Sequence, residues 1–378
     1  MANDYKVKKI NSLQGLRAIL FFMIFIFHTS MIGNITKTTI YQKIGGGGGT
    51  EAVAFFFVLS GFIEAIHKRN FEYHKLSKNL KFCAKKVKKF YRMHVVFLIS
   101  TVPTMLIVII RYPMEYMIKF IINIFLVQSW FPKEDIWLSY NSVSWFLSTL
   151  TFLFLFIKPL HKFCKKIEER CSDVQCVKIY LIILIILFLI DLIIAMVIGN
   201  ISDNVSYYLY AFPPMRLIDY CAGFFTGRLY SIHGCLKINI SNRKYISAKE
   251  IFAVGVMVFY LLIYPVVPKE FSRAVLYLPG AVFVIFIIAE GKGIVSKVLS
   301  IPMMVAIGNG SLYYMMCHQV ILRYCSLGQR VLFKCSVESY DWIWVFVGFI
   351  LTFASKPVYD KVKSRLDSIK LRMIGINK

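Results

Sequence analysis

Apolar residues in this chain come in runs. Residues 180–198 form the longest, and 19–28 and 343–353 are others. A run near 20 residues with few charges matches a helix crossing the hydrocarbon core of a bilayer. A chain built from such runs packs helix against helix. Of its 378 residues 58% are hydrophobic, against roughly 45–50% in soluble domains. The expected fold class is all-α, a polytopic membrane helix bundle, in a single domain over residues 1–378.

Apolar spacing places about ten helices. They fall near 16–34, 51–68, 93–112, 142–160, 177–199, 211–231, 249–266, 273–290, 303–325 and 341–359. A shorter amphipathic segment near 116–128 is expected at an interface. The net charge is +25. With the N-terminus in the cytoplasm, the cytoplasmic segments carry roughly three times the Lys and Arg of the outer loops, as the positive-inside rule requires. An even number of helices also keeps the basic tail, 356–378, inside. Both termini are therefore expected in the cytoplasm, and the protein in the cell's inner (cytoplasmic) membrane as a multi-pass chain. Charge used for topology in this way gives no reason to expect a nucleic-acid partner. Membrane lipids are the expected surroundings.

Nine Cys are scattered, with no CxxC pair. His161, Cys164, Cys171 and Cys176 lie close together without the spacing of a zinc site. Free thiols and no metal are expected. Lys6, Lys8 and Lys9 precede the first apolar stretch as they would in a signal peptide. That stretch is long, carries His28 and lacks a clean small-x-small cleavage pattern, so it reads as a retained first helix. Glycines 45–49 fall in the first outer loop. They are either a flexible turn or a backbone that lets a substrate approach closely.

Ionisable groups inside membrane helices are costly and point to function. Arg17 and His28 are eleven residues apart, about three helical turns, so they share a face about 16 Å apart along the axis. Arg17 is expected at the cytoplasmic mouth and His28 toward the outer third. Arg216 and Asp219, three residues apart, can neutralise one another on the sixth helix. Gly223 and Gly227 at a four-residue interval allow close helix approach. The second helix carries Ser60, Gly61 and Glu64, and the ninth carries Ser311 and His318, the latter at a depth like that of His28. The loop over 68–92 is the most basic part of the chain. It serves as a topology signal attracted to anionic lipid, or holds a phosphate-rich cytosolic ligand.

Taken in order, these features resemble the membrane acyltransferase-3 family, the integral-membrane O-acyltransferases that decorate bacterial surface glycans. One motif is Arg17 to His28 within LQGLRAILFFMIFIFHTS. Another is FFFVLSGFI at 55–63, which includes Ser60. In KKVKKFYRMH, Lys89 and Arg92 resemble the family's spaced basic pair. The remaining motifs are SWFLSTLTFLFLFIKP at 144–159, RLIDYCAGFFTG at 216–227, and IGNGSLYYMMCHQ with Ser311 and His318. Together they run from residue 13 to about 319. Four positions depart from the pattern. Leu150 and Thr151 stand where a Glu pair is frequent, Lys89 where Arg is usual, and Ala54 where an acidic residue is usual. The family's extracellular hydrolase-like extension is absent from these residues.

The resemblance implies transfer of an acyl group, most often acetyl, from acetyl-CoA to a hydroxyl of a cell-surface or lipid-linked polysaccharide sugar. Acetyl-CoA enters as donor substrate, and no bound cofactor is implied. His28 is expected as general base, with a covalent acyl-histidine relay as the alternative. Arg17 is expected to orient the donor. Lys89, Arg92, Ser60, Glu64, Trp145, Arg216, Asp219, Ser311 and His318 are expected to bind or shape the substrates, with Glu64 or Asp219 as candidates for an acidic role. The rival class is a membrane transporter or flippase for a glycan or lipid-linked sugar, which would also bury charges within about ten helices. Transporters commonly show repeated halves, and none are visible here.

Overall fold

The computed structural model describes residues 9–32, 41, 45–67, 76–235, 243–273, 275–333 and 338–373. Every regular element among them is helical. The first half of the chain supplies α1 (Asn11–His28), α2 (Gly46–Ile66), α3 (Leu76–Thr101), α4 (Leu106–Arg111) and α5 (Pro113–Ile124). It continues with α6 (Glu134–Trp137), α7 (Trp145–Leu153), α8 (Ile157–Glu168) and α9 (Asp173–Ile201). The second half holds α10 (Pro213–Cys235), α11 (Arg243–Ile263), α12 (Lys269–Ser272) and α13 (Leu278–Glu290). It ends with α14 (Ile294–Leu299), α15 (Pro302–Phe333) and α16 (Glu338–Met373).

Local chemistry sets several of these ends. Ser172 caps α9 through a reciprocal box with Gln175, which satisfies donors the first turn would otherwise leave open. Pro113 opens α5, where its missing N–H costs nothing. Gly291, at φ 68°, ends α13 in the left-handed conformation that favours glycine.

Seven helices among the described residues are long and apolar enough to cross a membrane. The described residues of the ten expected spans are mostly helical, but the spans at 93–112 and 142–160 each run across more than one helix. The inner helices are α2, α10, α1 and α15. α2 lies against α10, and α1 against both α2 and α15. Glycine permits this closeness, as the sequence suggested for Gly223. A Cβ on Gly223 would overlap the Val58 carbonyl of α2, and one on Gly308 the Gln14 carbonyl of α1. α9 and α11 bury few of their apolar residues, as helices facing lipid do.

Two expectations change. Glycines 46–49 do not form a loop; they are the first turn of α2, and Gly47, Gly48 and Gly49 are buried. Neighbouring rings require their lack of side chain, since a Cβ on Gly49 would strike Phe27 and one on Gly47 would strike Tyr264. Helix packing outweighs the low helix propensity of glycine here. The basic stretch is likewise helical from Leu76 onward. Lys and Arg are good helix formers, and Cys83 and Phe90 on its inner side are buried. Residues 68–75 of that stretch lie outside the described residues. The segment expected at 116–128 is largely α5. Its buried Lys119 pairs with Glu115 and with Asp135 at 2.7 Å. Hydrogen bonding to Lys119 holds the Asp135 carboxyl below the ordinary aspartate range.

Candidate active site

His28 is the last residue of α1. Its ring is half-buried and lines a cavity of about 390 Å³. α15 runs beside α1 and brings His318 against it. The His318 Nε2 and His28 Nδ1 atoms are 3.2 Å apart. His318 is fully buried, edge-on to Phe21 and close to Phe25.

The hydrogen-bond network assigns the tautomers. His318 Nδ1 lies 3.0 Å from the Tyr314 carbonyl. A carbonyl only accepts, so that nitrogen carries the hydrogen and leaves a lone pair on Nε2. His28 Nδ1 lies 2.9 Å from the Ile24 carbonyl. By the same reasoning it carries a hydrogen, placed between the Ile24 carbonyl and the His318 lone pair. The lone pair of His28 is therefore on Nε2. This arrangement suits a base: two acceptors on the far side of the ring support the imidazolium formed when Nε2 takes a proton.

Aromatic rings and neutral polar groups form the walls. Trp145 opens α7 and is 4.9 Å, centre to centre, from Tyr210 and 6.0 Å from Trp137. The segment leading into α7 is fastened to α15. Asn141 donates to the Met316 carbonyl at 2.9 Å, the Val143 N–H to Gln319 at 3.3 Å, and Gln319 to Ser142. Tyr140, before this segment, takes a left-handed φ of 54°, and its hydroxyl donates to the Tyr116 carbonyl at 2.7 Å. A bulky residue holds such a conformation only where its surroundings over-determine it. Gln319, Ser206 and Asn204 add neutral polar groups to the lining.

Arg216 builds the wall from behind and is 1% exposed. It donates to Asp219 at 2.5 Å, to the Leu209 carbonyl, and to the Arg273 carbonyl at 2.9 Å. One guanidinium thus ties α10 to the 207–211 turn that carries Tyr210, and to the end of α12. The pairing of Arg216 with Asp219 that the spacing predicts is present, and it serves the shape of the cavity.

The other expected residues lie elsewhere. Arg17 is half-buried on α1 and donates to Gln14 at 3.2 Å; among the described residues it makes no ion pair. Ser60 donates to the Phe56 carbonyl within its own helix. Glu64 forms an ion pair with Lys86 of α3. It stands fifteen residues beyond Gly49, which lines the cavity, or about 22 Å along α2. The group beside the His28 ring is thus another histidine. Lys89 is exposed, and exposed Arg92 pairs with Asp367 of α16 at 2.5 Å. Ser311 is buried on α15 two turns before His318.

Sequence reading missed several groups. Trp137 and Gln319 line the cavity, and Arg273 reaches it. Glu51 is fully buried on α2, and neither carboxylate oxygen has a hydrogen-bond partner. Asp191 is buried on α9, close enough to the Arg216–Asp219 pair to act on it electrostatically. The last had a signal: a lone aspartate in the middle of the chain's longest apolar run. Among the described residues no group of His, Cys, Asp and Glu is arranged to hold a metal ion. Cys83, Cys164, Cys171, Cys176, Cys221, Cys317 and Cys325 are free thiols.

The sequence pattern of a family described as an acyltransferase domain matches residues 10–356 of the chain. No curated protein and no solved structure matches.

Proposed function

The chain belongs to the acyltransferase-3 family, whose pattern covers nearly its whole length, and from that premise we propose that it moves an acetyl group from acetyl-CoA to a sugar hydroxyl of a surface or lipid-linked polysaccharide. It is a multi-pass membrane acyltransferase. In our reading ten helices cross the cytoplasmic membrane and both termini lie in the cytoplasm. The donor is then bound from the end of the bundle that carries Arg17 and the basic face of α3. The acceptor occupies the aromatic cavity at the other end.

The observation that carries this reading is the His28–His318 pair at the wall of that cavity, 3.2 Å apart. His28 Nε2 takes the proton of the acceptor hydroxyl as its oxygen attacks the thioester carbonyl carbon. The tetrahedral intermediate collapses by breaking the carbon–sulfur bond, and the proton passes from His28 to the departing thiolate. His318 holds the ring and accepts from its Nδ1–H while the charge lasts. Trp145, Trp137 and Tyr210 offer flat apolar faces to the sugar ring, and Gln319, Ser206 and Asn204 offer hydrogen bonds to its hydroxyls. Arg17 and, at the membrane face, Lys89 and Arg92 supply cations for the donor's phosphates. The bound donor spans about 16 Å, its phosphates near Arg17 and its thioester at His28.

Purified protein in lipid nanodiscs, given acetyl-CoA and a library of acceptor glycans, provides the test. Acetylated sugar detected by mass spectrometry with wild type, and none with well-folded H28A, is the expected result. Full transfer by H28A would remove the proposed base.

A further inference from the structure

Among the described residues, the cavity lining holds one cation that the proposed chemistry does not use. Arg273 follows α12 and lines the same cavity as His28. It makes no ion pair among the described residues. Its NH1 donates to the Thr50 hydroxyl at 3.3 Å, a long contact to a neutral group. Its Nε is cut off from solvent and has no hydrogen-bond partner. The guanidinium lies 5.7 Å from the centre of the Tyr210 ring, and its backbone carbonyl is held by Arg216. The side chain is therefore placed by α2, by Tyr210 and by the buried Arg216–Asp219 pair, but not neutralised by any of them.

Asp219 is taken up by Arg216, and neither Glu134 nor Glu51 pairs with Arg273 among the described residues. Glu134 lines the cavity but is exposed. Glu51, next to Thr50, sits two residues from both Gly49 and Val53, the α2 residues that line the cavity. At about 100° per residue it faces the opposite side of the helix. Half-buried guanidinium groups normally find an anion, because leaving their donors unmet in a low-dielectric site is costly.

We propose that Arg273 selects an acceptor sugar carrying a carboxylate or phosphate, so that the substrate class is an acidic glycan. This rests on reading the cavity as the acceptor site. The planar fork of Arg273 meets two oxygens of the anion while the sugar ring lies against Tyr210 and Trp145. The neutral hydrogen-bonding groups around the cavity are left for the hydroxyls, one of which faces His28.

The test uses full-length protein in nanodiscs and the tryptophan fluorescence of the cavity. Methyl glucuronoside and methyl glucoside are titrated against wild type, R273Q and H28A. Wild type is expected to favour the uronide roughly tenfold to hundredfold, as a charged hydrogen bond implies. H28A should keep that preference, and R273Q should lose it while still binding the glucoside. Equal binding of the two sugars by wild type would overturn the proposal. So would R273Q slowing transfer to acidic and neutral acceptors alike, which would assign Arg273 to the reacting carbonyl. A third arm compares acetyl-CoA with succinyl-CoA on a neutral acceptor. Arg273-dependent preference for the succinyl donor, without preference for the uronide, would move the anion to the acyl group and overturn the acceptor assignment. Absence of acyl transfer with the uronide preference intact would sink the proposed enzyme activity and leave the anion site standing.

Discussion

The two ends of the bundle handle polarity in opposite ways. At the His28 end, polar groups are enclosed by rings and hold one another: His318 against His28, Gln319 against Ser142 and Val143, Arg216 against Asp219. At the end where α3 begins, charges line an exposed helix face, and the Arg92–Asp367 pair is almost half exposed on both sides. Enclosure raises the strength of every electrostatic contact, and exposure screens it. Charge density alone would point to the opposite end from the one where we propose the chemistry. The basic face suits attraction of a mobile phosphate ligand; only the enclosed end has the fixed geometry that proton transfer needs.

Removing the base should show the largest effect. H28A is expected to lower acyl transfer by roughly 10²–10⁴-fold, measured as turnover by folded protein. A similar loss from K89E would erase the distinction between the ends. Next comes stability. R216M leaves Asp219, and Asp191 near it, buried without their cation, at a cost of roughly 3–5 kcal/mol. R92A breaks an exposed pair and should cost about 0–1 kcal/mol. Thermal unfolding of both variants in one detergent reads the contrast directly.

H318Q should act more mildly, because the Ile24 carbonyl still accepts from His28 Nδ1–H when the His318 acceptor is lost. A loss of roughly threefold to tenfold in kcat, with acceptor KM unchanged, would mark His318 as a positioning residue. An unchanged kcat would show that His28 needs no such support. The double variant K89E/R92E should raise the donor KM and leave kcat alone, and the effect should shrink as salt screens the exposed face. A salt-independent loss would mean that these residues act in an enclosed site after all.

The smallest effect expected is one of pH, at the rim of the cavity. Lys119 holds the Asp135 carboxyl below its ordinary value, and so fastens α5 to α6, which carries Trp137. A lowered carboxylate pKa contributes stability that is present above the unfolded value, about 3.9, and is lost as pH falls through the folded one. Limited proteolysis of residues 125–141 should therefore stay constant from pH 7 to about pH 5 and rise only in stronger acid. Asp135 is largely exposed, so solvent screens the pair.

Most of the framework was legible. Long apolar runs place the helices, because a bilayer demands that each segment satisfy its own backbone. The Arg216–Asp219 pair and the close approach at Gly223 follow from spacing along one helix. Glycines 46–49 were misread because propensity speaks for a loop, while the rings of Phe27 and Tyr264 that need the space lie on other segments. Arg273, Trp137 and Gln319 were passed over for a related reason. Each is unremarkable in its own stretch and acquires meaning only from what packs opposite.

By itself, then, the sequence determined a family, a helical membrane bundle and a histidine three turns from an arginine. These are local properties, set by period, length and the energetics of lipid. The tertiary structure decided that His28 meets His318, 290 residues later in the chain, and that Arg273 stands beside Tyr210 with no ion-pair partner among the described residues. Which helices become neighbours depends on the fit of small residues against distant backbones, as at Gly308 against Gln14. No helical period encodes that fit.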